Sequence, residues 1–171
     1  NNFYREQILL LLKQDNFSVT NDPSSSNFCQ IYVELHNKNL ILKLENSELI
    51  LNIPCSWGEI IKNIENLLKD YYIKVSDFNF NPYMQKIVYK EKALILGNLH
   101  NIIFKNLLLY LKSQNLSKNK LYSQLWPKDK SLNMNKLDTH ITNLKNLVNV
   151  KLGLRLDITS DKNIIRLNII N

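Results

Sequence analysis

The chain has 171 residues, of which 44% are hydrophobic and 22% charged, and its net charge is +7. A chain of this length and composition forms one ordinary domain or two small ones with apolar cores. Its fold therefore does not depend on stabilisation by disulfide bonds or metal ions. The basic excess lies towards the C-terminus, because residues 116–171 carry ten basic and four acidic side chains. This asymmetry favours contact with nucleic acid, and a solvated basic surface is the alternative.

Residues that could hold a metal ion or carry out catalysis are scattered along the chain. Cys29 and Cys55 form no CxxC pair and are expected to be reduced thiols of a cytoplasmic protein. The three histidines lie outside any hydrolase motif. The apolar run at residues 8–13 is too short to span a bilayer. We therefore expect no metal, no cofactor, no enzymatic activity and no membrane partner.

The first 70 residues predict a small α/β domain. FYREQILLLLKQ has the periodicity of an amphipathic helix, and short polar links of hairpin length separate three β-rich runs, FCQIYVEL, NLILKL and ELILNI. The segment PCSWGEIIKNIENLLKD then predicts a helix that begins near Ser56.

Residues 71–171 predict an α+β domain. VSDFNFNP, QKIVYK and ALILG are typical of a short antiparallel sheet, and NLHNIIFKNLLLYLKSQ predicts a long apolar helix. Ser117 caps a second helix that Pro127 ends, and a polar, basic loop follows it. After the third helix, LGLRLDITSDKNIIRLNII predicts a hairpin with a polar tip. This order of elements indicates a winged helix-turn-helix, in which the third helix enters the major groove of DNA.

The third helix is predicted from the stretch LDTHITNLKNLVNV. Leu137, Ile141, Leu144 and Val148 recur at helical spacing and form a stripe that faces a core. The residues turned away from the core include no carboxylate and several hydrogen-bond donors. Such a face suits a polyanion or water.

From VSDFNFNP to the C-terminus, the chain resembles the DNA-binding effector domain of OmpR/PhoB-type response regulators. The resemblance is carried by FNFNPYMQKIVYKEKALIL, LSKNKLYSQLW, LDTHITNLK and the final IIRL, in the family's order. It implies a transcription regulator that binds double-stranded DNA, with RNA polymerase as a further partner at the loop PKDKSLNMN.

The resemblance also implies a set of DNA contacts. Base contacts fall at Thr139, Thr142 and Asn143. Contacts to the DNA backbone fall at Asn135, Lys136, His140, Lys145 and Asn146, and the wing offers Lys162 and Arg166.

The chain departs from the family where the recognition helix normally carries arginines, because Thr142, Asn143 and Lys145 stand there. The Gly-Tyr of the wing is missing and Asp161 would repel phosphate. We therefore expect weak or A·T-leaning DNA binding, strengthened by dimerisation. A winged-helix module that binds another protein and no DNA is the alternative.

Residues 1–70 resemble a shortened, degenerate receiver domain in LNIPCSWGEIIKNIENLL, where Ile53 holds the position of the family's lysine. Glu34 is the nearest counterpart of the phosphoacceptor aspartate, so this interpretation predicts regulation without phosphorylation. An unrelated α/β dimerisation module is the other interpretation, and both predict a homodimer.

Overall fold

The computed structural model describes residues 6–8, 10, 31–36, 38–44, 47–111, 116–161 and 163–169. The chain divides into two compact units, residues 1–70 and residues 71–171. Residues 6–8 and 10 are helical, whereas the rest of the predicted first helix and Cys29 lie outside the described residues. Within the described ranges, no helix is both long enough and apolar enough to cross a membrane.

Unit 1 contains an antiparallel sheet of three strands in the order β1-β2-β3, namely Ile31–His36, Asn39–Leu44 and Ser47–Asn52. Alternate residues of the central strand, Leu40, Leu42 and Leu44, are buried, as expected for a sheet with one face on a core. Helix α1 follows at Trp57–Lys69. The Ser56 hydroxyl oxygen accepts a hydrogen bond from the Glu59 amide at 3.1 Å, so the predicted start of this helix is confirmed.

The antiparallel pairing of unit 1 contradicts the receiver-like interpretation for the described strands. A receiver has a doubly wound parallel sheet, whereas β1, β2 and β3 are joined by hairpins. Glu34, proposed from the sequence as the counterpart of a phosphoacceptor, lies exposed on β1. Its Oε2 atom is 2.8 Å from Lys43 Nζ in an ion pair. The dimerisation module stays a prediction.

Unit 2 begins with a four-stranded antiparallel sheet in the order β4-β5-β6-β7. The strands are Ile73–Val75, Phe78–Asn81, Lys86–Tyr89 and Lys92–Ile95. The sequence predicted three strands in this region and not four, because VSDFNFNP has the pattern of one continuous β-rich run. A turn divides it, and Ser76 adopts a φ of 52° there.

Three helices follow, α2 at Asn98–Leu109, α3 at Lys118–Leu125 and α4 at Met134–Leu152. Helix α2 lies in the core as predicted, because the Phe104 ring contacts the rings of Phe78 and Phe80 on β5 at centroid distances of 5.9 and 4.9 Å. Ser117 accepts a hydrogen bond from the Lys120 amide and caps α3, which confirms the predicted N-cap.

Unit 2 contains a second sheet, formed by β8 at Leu116–Ser117, β9 at Leu156–Asp161 and β10 at Ile164–Ile169. Its strand order is β8-β10-β9. The terminal hairpin of β9 and β10 was predicted, whereas β8, a strand of two residues, was not. The hairpin turn is tied to α3 through Asn163. Its backbone carbonyl accepts from the Lys118 amide at 2.8 Å and its side-chain oxygen accepts from the Asn119 amide at 3.2 Å.

Candidate nucleic-acid interface

Helix α4 is anchored to the core of unit 2 along one side. All four residues of the predicted stripe are buried, and Leu152 extends the stripe to the end of the helix. The Asn133 side chain accepts from the Lys136 amide at 3.1 Å and caps the N-terminus. Gly153, with a φ of 74°, ends the helix in the left-handed conformation that glycine adopts without strain.

The opposite side of α4 carries a row of exposed, uncharged polar side chains, with the exposed Val150 near its C-terminal end. We call it the polar face of α4, and its members are Asn135, Thr139, Thr142, Asn143, Asn146 and Asn149. Five of these six residues are among the eight predicted base and backbone contacts, and the helix brings these five together on one surface. The Thr139 hydroxyl donates to the Asn135 carbonyl at 2.8 Å, so this hydroxyl proton is used within the helix.

Lys136 lies beside the polar face and is engaged with unit 2 itself. Its Nζ atom is 3.0 Å from Asp129 Oδ2 and 4.1 Å from the centroid of the Trp126 ring. The Tyr122 hydroxyl donates to the same Asp129 oxygen at 2.7 Å. The hydrogen bond from Tyr122 is the larger cause, and that from Lys136 the smaller, of an Asp129 pKa below its usual range. The same bond to Asp129 raises the pKa of Tyr122. Lys136, predicted as a phosphate contact, is therefore held by a carboxylate.

His140 packs among aromatic rings. Its ring centroid lies 5.6 Å from that of Trp126 and 6.1 Å from that of His100 on α2. Burial lowers the pKa of His100, and the charge of His140 lowers it further. The predicted phosphate contact at His140 thus belongs to a half-buried cluster between α2, α3 and α4.

Two further lysines near α4 are directed into the unit. Lys145 is half-buried, and its Nζ donates to the Ile158 carbonyl on β9 at 3.3 Å. Lys118, at the start of α3, donates to both carboxylate oxygens of Asp138 at 2.7 and 2.9 Å, and its side chain is only 12% exposed. Hydrogen bonds hold both ammonium groups within the domain.

In the described part of the hairpin, the predicted wing cation Arg166 has acidic neighbours. Arg166 lies half-exposed on β10, opposite Thr159. Asp157 and Asp161 lie on β9 beside it, and Asp157 accepts a hydrogen bond from Asn168. Lys162, the other predicted wing cation, lies outside the described residues.

The α3–α4 loop, residues 127–133, is exposed throughout. Lys128 and Lys130 lie in it, immediately before the N-terminus of α4, and neither forms an ion pair with another described residue. Asp129 lies between them and is held by Tyr122 and Lys136. The loop therefore presents two lysines next to the polar face.

The sequence prediction missed Asp129 and Trp126, which hold Lys136. Helical periodicity places Lys136 beside the exposed face, but it does not show that the end of α3 covers that flank. The pattern that could have pointed to this contact is an acid and an aromatic residue on either side of Pro127, shortly before the helix. Among the described residues, no group of three or more His, Cys, Asp or Glu side chains could hold a metal ion.

No protein-family model matches the sequence, and no curated protein matches it significantly. Among solved structures, the chain is similar to the C-terminal domain of a lantibiotic response regulator, the nisin resistance regulator NsrR. The two share 26% identity over 57% of this chain and 98% of that chain, with a TM-score of 0.44. A similarity at this TM-score establishes neither the fold nor the family of this chain.

Proposed function

We propose that residues 71–171 form a winged-helix domain that binds double-stranded DNA, and that the protein regulates transcription by binding and not by catalysis. The observation that carries the proposal is the polar face of α4. It is a row of exposed amides and hydroxyls on a helix whose other side is fixed in the core.

The geometry suits the major groove, which is wide enough to admit an α-helix. Asn143 and Asn146, three residues apart, lie next to each other on the surface of α4, and Thr139 and Thr142 lie beside them. An asparagine amide can bond an adenine edge through two hydrogen bonds, and a threonine methyl can pack on the thymine methyl. The one carboxylate of α4, that of Asp138, is paired with the ammonium group of Lys118.

Charge supports the same partner. Residues 71–171 contain sixteen basic and six acidic side chains. Lys128 and Lys130 stand at the N-terminal end of α4, and Arg166 lies on the hairpin. Cations at these places attract the DNA backbone and orient the helix, while the polar face supplies the base contacts.

A second candidate is a winged-helix module that binds another protein. The observation that favours it is that Lys118, Lys136 and Lys145 are all hydrogen-bonded within the domain, which leaves the polar face uncharged. An uncharged amide surface can bind a protein as well as a base edge. Binding to DNA is the stronger candidate, because a basic loop borders this face.

We further propose that unit 1 forms a homodimer and that the regulator acts without phosphorylation, since the antiparallel strands β1 to β3 do not form the parallel sheet of a receiver. RNA polymerase, implied by the family resemblance, is proposed as a further partner of the DNA-bound domain. Analytical ultracentrifugation tests the dimer. Intact-mass measurement after treatment with acetyl phosphate tests the second point, and a phosphorylated species would contradict it.

The DNA-binding proposal is tested by fluorescence polarisation with labelled short duplexes and the Asn143→Asp variant. The substitution keeps the side-chain shape but places a negative charge on the polar face, so we expect a loss of affinity of about tenfold or more. The matched control is Asn79→Asp, which changes the net charge equally at an exposed position of β5. Equal effects of the two substitutions would contradict the assignment of α4, and no binding by the unsubstituted protein would favour the protein-binding module.

A further inference from the structure

Resting on the proposed function, we infer that base preference and attraction to phosphate reside in two separate groups of residues. The polar face of α4 reads A·T pairs in the major groove, and Lys128 and Lys130 of the α3–α4 loop contact the phosphates. The DNA taken is thus A·T-rich duplex, bound with a shallow dependence on salt.

The chemistry of the polar face limits what it can read. Guanine is recognised mainly by Arg or Lys, which donate to its O6 and N7 atoms. The face presents no such side chain, because its six members are asparagines and threonines. An asparagine amide matches the N6 and N7 atoms of adenine, and a threonine methyl matches the methyl group of thymine. The face is therefore complementary to A·T pairs.

Cations that could have crossed from the flanks of α4 to this face are held elsewhere. Lys136 is clamped by Asp129 and stacked on Trp126, and Lys145 donates to the hairpin backbone. Reorienting either one would give up a hydrogen bond made within the domain.

The N-terminus of α3 is also occupied. Amide groups at the start of a helix commonly bind phosphate. Here Asn163, at the turn of the hairpin, accepts from the amides of Lys118 and Asn119. Contacts to the DNA backbone are therefore left to side chains, chiefly Lys128 and Lys130.

The expected salt dependence follows from the number of cations that can contact phosphates. Each neutralised phosphate contributes about 0.9 to the slope of log affinity against log salt. Lys128, Lys130 and Arg166 together give a slope of roughly 3 for each bound domain. That slope is well below the value of about 10 known for a strongly electrostatic repressor.

The test uses the full chain and three labelled duplexes of equal length, with alternating A·T, alternating G·C and alternating inosine·cytosine pairs. Inosine lacks the 2-amino group of guanine, so its pair with cytosine resembles G·C in the major groove and A·T in the minor groove. We expect binding to the A·T duplex to be about tenfold tighter than to the G·C duplex. Inosine·cytosine should behave like G·C.

Two sets of variants separate the two groups of residues. Asn143→Arg, which adds a guanine donor to the polar face, should shift the preference towards G·C by about tenfold. Lys128→Ala combined with Lys130→Ala should lower the salt slope by about two units and leave the base preference unchanged. The matched control pair is Lys74→Ala with Lys92→Ala, which removes two exposed lysines of the β4–β7 sheet.

The outcomes distinguish this inference from the proposal beneath it. Salt-dependent binding with equal affinity for the A·T and G·C duplexes would overturn the inference and leave DNA binding intact. Inosine·cytosine bound as tightly as A·T would overturn major-groove reading. If the Lys74/Lys92 control lowered the salt slope as much as the Lys128/Lys130 variant, the assignment of the phosphate contacts to the loop would be overturned. Absence of binding to all three duplexes would overturn the proposed function itself.

Discussion

Replacing Asp129 with asparagine should strengthen DNA binding, although the residue is not expected to touch DNA. Asp129 lies between Lys128 and Lys130, and its carboxylate holds the ammonium group of Lys136 at 3.0 Å. The asparagine keeps the shape of the side chain but removes the charge. Lys136, whose side chain is 37% exposed, can then turn towards a phosphate.

The magnitude follows from one added phosphate contact. One added contact steepens the slope of log affinity against log salt by about 0.9. Between about 50 and 200 mM salt, the variant should therefore lose roughly threefold more affinity than the unsubstituted protein. At the low end of this range the variant should therefore bind more tightly. The pKa of Tyr122 should also fall towards its usual value, because the hydrogen bond to the Asp129 carboxylate is the main cause that raises it.

The assay is a fluorescence-polarisation salt series, accompanied by a spectrophotometric titration of the tyrosines. The matched control is Asp77→Asn, which removes an exposed acid in the turn between β4 and β5 and changes the net charge equally. If both variants raise the slope alike, the effect reflects net charge, and the release of Lys136 is refuted. An unchanged slope in Asp129→Asn would refute it as well.

The remaining predictions concern the framework of unit 2. Asp138→Ala should destabilise the unit by about 1–3 kcal/mol, because it leaves the mostly buried ammonium group of Lys118 unpaired. In thermal denaturation, adding Lys118→Met should recover part of this loss of stability. No recovery would contradict the pairing. Below about pH 6.5 the unit should lose stability, since the pKa of His100 is lowered chiefly by burial and its neutral form is favoured in the fold. His100→Asn should flatten this pH dependence, and an unchanged melting profile between about pH 5 and 8 would contradict that origin. Leu144→Ala, at a fully buried position, should cost about 2–5 kcal/mol in chemical denaturation, and a smaller loss would mean that α4 is loosely packed.

Much of unit 2 could be predicted from the sequence, because its elements are marked by local patterns. The apolar stripe of α4 from Leu137 to Val148 is buried as its spacing indicates, and Ser117 caps α3 as its position indicates. The exposed residues Thr139, Thr142 and Asn143 follow from the same spacing. A local pattern of this kind decides which side of a helix faces the core.

The contacts that the sequence did not predict depend on packing between distant segments. Periodicity puts Lys136 and His140 on a flank of α4, but only the position of Trp126 decides that this flank is covered. The hairpin pairing of β1 to β3 was predicted from the short polar links, because that signal is local. The strand β8 is defined solely by its pairing with β10.

The central claim is that DNA contacts the polar face of α4, and a nuclear magnetic resonance titration tests it most directly. The full chain, of 20.1 kDa, would be labelled with nitrogen-15 and titrated with the alternating A·T duplex. We predict that the side-chain amide signals of Asn143 and Asn146 shift with added duplex, while that of Asn79 on β5 stays in place. Binding that leaves the two α4 amides unshifted would contradict the account.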